Sequence, residues 1–219
     1  QLLAKVTKDW LHARDGGLSA VLACINLRKA FDTVRHQILL ESLSSAGIGG
    51  IPLNWFASYL SERTLRVVTQ RGCSSTLVVS SGVPQGTVLG PVLFNLYFRE
   101  LPKTAEAHGF HLPMFADDMT LYSSHKSLRL AAQTLNLALS SLSAALTDLG
   151  LTVNVDKSVV LFLSPSPVPI PPPLISINHV PLTVVDSTRI LGVTIDCRFT
   201  WTPHIDGIVR KVSKKIGAL

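Results

Sequence analysis

Two adjacent carboxylates are the first residues in this sequence whose types suggest chemistry. Asp117 and Asp118 lie within PMFADDMTLY (113–122), between two short apolar arms. This pattern predicts a β-hairpin with both acids at its tip. Neighbouring carboxylates repel each other unless a cation or a base offsets their charge, so the pair is a candidate metal site. Turns also favour aspartate for structural reasons, so the pair taken alone is also compatible with a turn that has no chemical role.

Two other segments combine polar groups with special backbone residues. SGVPQGTVLGPVLFNLYF (81–98) presents a neutral amide, Gln85, within a Gly-Val-Pro-Gln-Gly core beside a predicted helix start. Backbone groups there could approach a phosphate or a nucleotide closely, although a plain strand-to-helix turn is equally compatible. The all-apolar run 20–25 predicts a buried strand. INLRKAFDTVRH (25–36) begins at the end of this run, so polar residues and then Phe31 follow the strand.

The elements that must position these residues follow from hydrophobic periodicity and from glycine and proline punctuation. Helices are expected at 33–46, from Pro52, at 87–98, at 127–149 and from His204. Strands are expected at 20–25, 64–69, 76–83, 159–163, 174–177 and 189–195. The leucine stripe of the 127–149 helix predicts a core face, because seven-residue spacing is not sustained. Mixed elements with strand pairs adjacent in sequence favour an α+β fold with an antiparallel sheet.

Composition narrows the class of protein. Hydrophobic residues make up 47% of the 219 residues and charged residues 16%, which argues against disorder. No run of about 18 apolar residues occurs, so no membrane partner is expected. The formal charge of +6 favours polyanionic partners. The three cysteines, Cys24, Cys73 and Cys197, are far apart and predict reduced thiols in an intracellular protein.

The first residues, QLLAKVTKDWLHARDGG, predict no signal peptide, since they lack its apolar region. The absence of an initiator methionine suggests a piece of a longer chain.

Five segments, in this order and spacing, resemble the successive palm motifs of reverse transcriptases. They are INLRKAFDTVRH, GVPQGTVLGPVLFNLYF, MFADD, GLTVNVDKS and ILGVTID. WFASYLSERTLRV and FTWTPHIDGIVRKVSKKIGAL are similar to the non-LTR (LINE-type) retrotransposon branch. The resemblance covers nearly the whole chain, and GVPQG followed by FADD is highly specific. It implies a polymerase palm in which an antiparallel sheet packs on helices, with partial fingers and the start of a thumb.

The resemblance also implies a division of the chain. Residues 1–163 would be the palm with partial fingers, and 164–174, which contain PSPVPIPPP, a proline-rich connector. Residues 175–219 would contain the primer-grip hairpin and the start of the thumb. The remaining fingers, the thumb and any endonuclease would belong to other parts of a longer polyprotein.

By the same resemblance the function is RNA-directed DNA polymerisation by two-metal nucleotidyl transfer. Two Mg²⁺ ions, or Mn²⁺ in their place, would be held by Asp117 with help from Asp118 and the residue at position 26. Lys157 matches a candidate proton donor to the pyrophosphate leaving group. The expected partners are an RNA template, a DNA primer and dNTPs, and the implied site of action is the nucleus.

Further residues acquire expected roles in binding. The Leu27 carbonyl would be an additional ligand, and Phe31 matches the aromatic gate that crowds the sugar 2′-position. Gln85 and Gly86 would line the incoming nucleotide and the template. Leu191 and Gly192, in ILGV, belong to the motif of the primer grip.

Asn26 departs from the family pattern, which has a metal-bridging aspartate at this position. An amide oxygen can coordinate magnesium, but it is neutral. Losing one preorganised charge-stabilising group costs about 10²–10³-fold in rate in other enzymes, so we expect an impaired polymerase. The alternatives are a non-catalytic nucleic-acid-binding or scaffold protein and a degenerate remnant. Asp32 is not expected to substitute, because it lies beyond the strand's end.

Other notable residues have mainly structural interpretations. His108 and His111 are expected at the surface, because no third ligand for zinc is near. Trp10, Trp55 and Trp201 are expected as core or interface aromatics rather than base-stacking platforms. Three arginines near a predicted hairpin could follow a phosphate backbone or form a solvated basic edge. They are Arg63, Arg66 and Arg71.

Overall fold

The structure is a computed structural model that describes residues 2–107, 112–164 and 167–217. Its helices are α1 (Leu2–Asp15), α2 (His36–Ser45), α3 (Gly50–Leu60), α4 (Leu89–Tyr97), α5 (Leu101–Ala107), α6 (Leu128–Asp148) and α7 (Thr202–Ile216). Its first strands are β1 (Ser19–Ile25), β2 (Thr64–Leu65), β3 (Val68–Thr69), β4 (Gly72–Cys73), β5 (Leu77–Val78), β6 (Met114–Phe115) and β7 (Asp118–His125). The later strands are β8 (Val159–Leu163), β9 (Ser176–Ile177), β10 (Val180–Pro181), β11 (Thr183–Val184), β12 (Ser187–Ile190) and β13 (Val193–Asp196).

The chain divides into two compact units. The sheet unit contains residues 1–26, 105–143 and 153–219, and the helical unit contains residues 27–104 and 144–152. The division at 163 and 174 expected from the sequence stays a prediction.

A five-stranded sheet forms the centre of the sheet unit, in the order β11-β8-β1-β7-β6. β1 pairs antiparallel with β7, from Ser19 opposite His125 to Ile25 opposite Met119, and antiparallel with β8 on its other edge. A central strand buried on both faces reads as a continuous apolar run, which explains SAVLACI. The predicted antiparallel sheet is confirmed, and the short edge pairing of β11 with β8 is parallel.

Side chains from both ends of the chain cover this sheet. Val6 and Trp10 of α1 cluster with Leu22 and with Ile190 and Ile195 of the β12–β13 hairpin. The predicted leucine stripe of α6 is buried, as at Leu135, Leu139 and Leu142. The core face predicted for this helix is therefore confirmed.

The helical unit packs α2 against α3 and α4. Its buried residues include Leu39, Leu43, Leu60, Leu93 and Phe94. Residues 63–79 form an irregular hairpin of two-residue ladders, β2 with β5 and β3 with β4. The strands predicted at 64–69 and 76–83 are therefore shorter than expected. Both ladders are solvent-exposed, and no packed face extends the pairing.

Some expectations fall outside what the structure describes. His108 and His111 lie among residues 108–111, and the first two residues of the proline-rich connector, 165–166, are also not described. Within the described ranges, no helix is long and apolar enough to cross a membrane.

Candidate active site

The two acids lie where the β6–β7 hairpin turns. Phe115 pairs with Asp118, so Ala116 and Asp117 form a two-residue turn. Ala116 has a φ of 53°. A positive φ at the first turn residue matches the twist of paired strands and closes tight hairpins. The predicted hairpin, with Asp117 and Asp118 at its tip, is confirmed.

Asn26 follows the central strand β1. Ile25 pairs with Met119 of β7, so continuing the antiparallel register by one step places Asn26 opposite Asp118. Among the described residues, the side-chain amide of Asn26 has no hydrogen-bond partner. The structure therefore brings Asn26 and Asp118 together and leaves the amide available to a ligand.

The backbone of Asn26 is fixed on both sides. Its N–H donates to the Ser158 hydroxyl oxygen at 3.1 Å, and its carbonyl accepts from the Asn154 N–H at 2.8 Å. Ser158 is 0% exposed and donates its own hydroxyl to the Asn154 carbonyl at 2.8 Å. Sequence reasoning singled out the neighbouring Lys157 and missed Ser158, because a serine between a loop and an apolar strand carries no special signal. Ser158 positions the residue that faces Asp118.

A cavity of about 280 Å³ opens beside these residues. Three of the predicted site residues line it: Asn26, Asp118 and Lys157. The other lining residues are Cys24, Ile25, Met119, Thr120, Val159, Thr188, Arg189 and Ile190. The cavity thus combines one carboxylate and one free amide with two cationic side chains.

Arg189 is a site residue that sequence reasoning missed. It lies on β12, whereas Lys157 ends a short 3₁₀ helix (Val155–Lys157) before β8. Both side chains are solvent-exposed at the cavity. Only the fold brings Arg189 to Asp118, because the two lie far apart in sequence. A cavity with two cations beside an acid is suited to an anionic ligand that arrives with its own cation.

Burial and charge shift the pKa values of two groups at this cavity. Partial burial raises the pKa of the Asp118 carboxyl, and the charge of Asp117 raises it further. Burial raises the pKa of the Cys24 thiol to about 11, against a lowering hydrogen bond from Thr188, while the charge of Asp118 raises it. Cys24 therefore stays protonated near neutral pH and is not a nucleophile. A bound cation would favour the ionised form of the Asp118 carboxyl.

The donor set can be compared with what a metal ion requires. Asp117, Asp118 and Asn26 offer carboxylate and amide oxygens, the hard ligands that Mg²⁺ accepts. Within residues 2–107, 112–164 and 167–217, no group of three or more His, Cys, Asp or Glu residues could hold a metal ion. The oxygen donors suit a divalent cation, and they comprise two carboxylates and one neutral amide.

Leu191 and Gly192 form the turn of the β12–β13 hairpin, between Ile190 and Val193, which pair with each other. Their φ angles are 47° and 85°. Positive φ at both central residues gives a turn of type I′, for which glycine is suited and leucine is costly. Leu191 nevertheless packs on the core of the sheet unit.

Gln85 belongs to the helical unit and is held there by an acid. Its side-chain N–H donates to the Asp32 carboxylate at 2.8 Å, and Ser81 donates to the Asp32 carbonyl at 3.0 Å. A Cβ atom at Gly82 would lie 2.9 Å from that carbonyl, so only glycine fits at this close approach. The segment that contains Ser81, Gly82 and Gln85 therefore packs against Asp32, and the Asp32 carboxylate accepts a hydrogen bond from Gln85.

Phe31 also lies in the helical unit, where its ring stacks on Phe94 at a centroid distance of 4.0 Å. Leu27 is buried, and Gly86 has a φ of 77° in an exposed turn. The roles expected for Leu27, Phe31, Gln85 and Gly86 in binding a nucleotide stay predictions.

Comparison with known proteins shows the family of this chain. Residues 4–195 match the family described as Reverse transcriptase (RNA-dependent DNA polymerase). The chain is 29% identical to a probable RNA-directed DNA polymerase from transposon BS of Drosophila melanogaster, over 98% of this chain and 24% of the relative. It is 26% identical to the RNA-directed DNA polymerase from mobile element jockey of the same species, over 99% of this chain and 24% of the relative. The chain thus spans about a quarter of the length of these relatives.

Solved structures show the same fold at low identity. The apo telomerase of Candida tropicalis superposes with a TM-score of 0.61 at 14% identity, over 89% of this chain and 38% of that one. A telomerase of Candida albicans, solved with a fragment of telomeric RNA, gives 0.59 at 14% identity, over 88% and 33% of the two chains. These likenesses confirm the predicted α+β palm fold.

The fold and the sequence relatives agree with each other. The chain has the fold of a polymerase palm, and the relatives named above are polymerases of non-LTR mobile elements. The chain belongs to the reverse transcriptase (RNA-dependent DNA polymerase) family and is the palm-centred part of a non-LTR (LINE-type) member.

Proposed function

We propose that this chain is the catalytic palm of an RNA-directed DNA polymerase that adds dNTPs to a DNA primer on an RNA template, at a rate limited by Asn26. One observation supports the proposal most: Asn26, Asp118 and Lys157, distant in sequence, line one cavity. A carboxylate, an amide and two cationic side chains thus lie around one cavity, which supports a role for it in nucleotidyl transfer.

Reverse transcriptases generally use divalent metal ions. In this chain Asp117, Asp118 and the amide oxygen of Asn26 would hold Mg²⁺, or Mn²⁺ in its place. Bound ions would neutralise the charge of the reacting phosphates and promote ionisation of the primer 3′-hydroxyl.

The side chains around the cavity have separate tasks. Lys157 would donate a proton to the leaving pyrophosphate, and Arg189 would offset the remaining negative charge. Ser158 fixes the Asn26 backbone and would thereby help to hold this residue at the cavity. Leu191 and Gly192 would hold the primer in their turn. Phe31, Gln85, Gly86 and the Leu27 carbonyl would bind the nucleotide and the template.

The relatives are longer than this chain, and the remaining fingers, thumb and endonuclease regions are proposed as its partners within one polyprotein. We place its action in the nucleus, where a DNA target for a mobile element is found.

A second function is favoured by a single residue. Because Asn26 is neutral, the chain would hold its metal ions weakly, and a protein that binds nucleic acid without synthesis would keep the same fold. A degenerate remnant would have lost both properties.

Primer extension tests the first function. In the longer protein that contains this chain, we expect Asn26→Asp to extend a DNA primer on RNA at least about 100-fold faster than the wild type. Asp118→Asn is the matched control, since it removes a charge from the same cavity and should abolish extension. If the wild type and Asn26→Asp extend at similar rates, Asn26 does not limit this enzyme. RNA binding without extension in either protein would favour the second function.

A further inference from the structure

A stack of two aromatic rings and a guanidinium group lies on the surface of the helical unit. Trp55 and Tyr59 of α3 stack at a centroid distance of 5.4 Å with an interplanar angle of 11°. The guanidinium carbon of Arg63 lies 5.2 Å from the Tyr59 ring centroid. Trp55 and Tyr59 are four residues apart and lie on one face of α3, and Arg63 follows the end of this helix. We call Trp55, Tyr59 and Arg63 the aromatic stack.

Trp55 forms the end of this stack and is largely exposed in the part of the chain that the structure describes. Trp55 is 53% exposed, and Ile51, one helical turn earlier, is 85% exposed. Phe56 touches Trp55 only edge-on, at an interplanar angle of 81°. An indole ring that is open to water offers a surface on which another flat ring can stack.

Arg63 also begins the exposed hairpin. Its carbonyl accepts from the Val79 N–H at 2.8 Å, so residues 63–79, which we call the arginine hairpin, start at the aromatic stack. Arg66 and Arg71 are exposed on this hairpin, and neither side chain has a hydrogen-bond or ion-pair partner among the described residues. The hairpin contains no aspartate or glutamate.

Charge decides which partner fits. The arginine hairpin carries three positive charges and no negative one, and the chain as a whole carries +6. A second copy would present the same positive surface and be repelled. A polyanion with flat rings would match both parts, since the rings could stack on Trp55 and the phosphates could contact the arginines. Duplex bases are already stacked on one another, so single strands match best.

We propose that the aromatic stack and the arginine hairpin bind a single-stranded nucleic acid. A base stacks on the open face of Trp55, and Arg66 and Arg71 contact phosphates of the same strand. Both contacts lie within the helical unit and need neither the metal ions nor Asn26. The inference deepens the proposed function and rests on it only for the choice of RNA as the ligand.

Binding of a fluorescent oligouridylate of about 20 nucleotides, measured in EDTA over a salt series, tests this surface. We expect Trp55→Ala to weaken binding about tenfold, the size of one lost base stack. We expect the double variant Arg66→Gln/Arg71→Gln to lower the slope of log Kd against log salt by about 1.4, since each phosphate contact on a single strand contributes roughly 0.7. Duplex RNA of the same length should compete poorly.

Two matched variants serve as controls. Lys126→Gln/Arg129→Gln removes the same charge from exposed positions near the start of α6, and Leu137→Ala removes an exposed apolar side chain from the middle of that helix. Both should bind the oligonucleotide like the wild type. Circular dichroism of every variant establishes that it is folded.

Tryptophan fluorescence gives a second measurement. The quenching that is present in the wild type and absent in Trp55→Phe isolates Trp55, because Trp10 and Trp201 remain in both proteins. Quenching of Trp55 by oligouridylate supports the proposal even if Trp55→Ala does not fold.

Several results would overturn the proposal. They are unchanged affinity and salt slope in the stack and hairpin variants, equal loss in the control variants, or duplex RNA that competes as well as single strands. Loss of self-association or of binding to an acidic protein, with RNA binding intact, would assign the surface to protein contacts instead. Because the assay contains no metal ion, failure of primer extension leaves its result unaffected.

Discussion

Replacing Asn26 by aspartate would change the charge of the site. An aspartate there would add a third carboxylate beside Asp118, whose pKa is already raised by burial and by Asp117. In the absence of metal, the Asn26→Asp variant would therefore be under greater repulsion than the wild type. Its thermal midpoint should rise more with added Mg²⁺, because a ligand that binds only the folded state stabilises it by mass action. The expected gain in activity and the expected dependence on metal would thus have the same cause.

Ionisation of Asp118 destabilises the folded protein, so this effect depends on pH. Its pKa in the folded state is raised above the ordinary value of 3.8, so the folded protein binds this proton more tightly than the unfolded chain. Stability therefore falls as pH rises from 3.8 through the raised pKa, and the loss is complete above it. Solvent screening keeps the effect small, because the carboxyl is only partly buried.

We expect Asp118→Asn to raise the thermal midpoint at neutral pH by roughly 1–2 °C, which corresponds to a fraction of a kcal/mol in a chain of this size. The difference should vanish at pH values below the ordinary aspartate pKa, where the wild-type carboxyl is protonated in both states. Differential scanning calorimetry across pH measures it. A variant that is less stable than the wild type at neutral pH would show that the Asp118 carboxylate makes a favourable contact in the metal-free protein.

At the scale of elements, Asp196 joins the β12–β13 hairpin to α7. It ends β13, is 7% exposed, and accepts from the backbone N–H groups of Arg198, Thr200 and Trp201 and from the Thr200 hydroxyl. Burial alone would raise the pKa of this carboxyl, but these hydrogen bonds outweigh it and hold the pKa below its ordinary value. The turn before α7 is therefore organised by one acid.

Removing that acid should destabilise the protein. We expect Asp196→Ala to lower the free energy of unfolding by about 2–4 kcal/mol at neutral pH, since several N–H groups lose an ionised acceptor. Because the folded-state pKa is lowered, the wild-type advantage is present above the ordinary value of 3.8 and is lost as pH falls through the folded-state pKa. Urea unfolding at neutral pH and at about pH 3 measures both.

Asp196→Asn is the matched control and should lose less, since its amide oxygen still accepts hydrogen bonds. An Asp196→Ala deficit that is equally large in acid would show that the loss comes from packing and not from charge.

Local signals predicted most elements of the molecule. The apolar run of β1, the periodic leucines of α6 and the acid hairpin were all found, because each carries its pattern within a short window. The expectation for Trp10 as a core aromatic is confirmed by its burial. Trp55, expected as a core or interface aromatic, is exposed, since the amphipathic pattern of α3 does not reveal which side lacks a neighbour.

The parts that could not be predicted depend on contacts between distant residues. Arg189 reaches the cavity only because the β12–β13 hairpin lies beside β8, and Ser158 holds Asn26 only because β8 pairs with β1. The Asp32 carboxylate binds Gln85 across a similar separation in sequence. In each case residue type and spacing were uninformative, because the partner was fixed by tertiary structure.

For the molecule as a whole, positive charge opposes self-association and exposed apolar surface favours it. α7 has no buried residue and carries an exposed apolar stripe. The stripe consists of Ile205, Ile208, Val209, Val212 and Ile216. Its basic residues are Arg210, Lys211, Lys214 and Lys215. Association of two such helices would bury apolar area worth roughly 1.5–3 kcal/mol per large side chain, but it would bring like charges together.

This opposition predicts how the isolated 219-residue chain responds to salt. Salt screens the repulsion between the basic residues and leaves apolar burial intact, so self-association should increase with salt while nucleic-acid binding weakens. We expect Ile208→Gln/Val212→Gln to keep the chain monomeric in sedimentation velocity at high salt without lowering its thermal midpoint. Lys211→Gln, which removes only charge, should associate at lower salt than the wild type. A chain that is monomeric at every salt concentration would mean that the stripe on α7 is too weakly apolar to overcome the entropy of association.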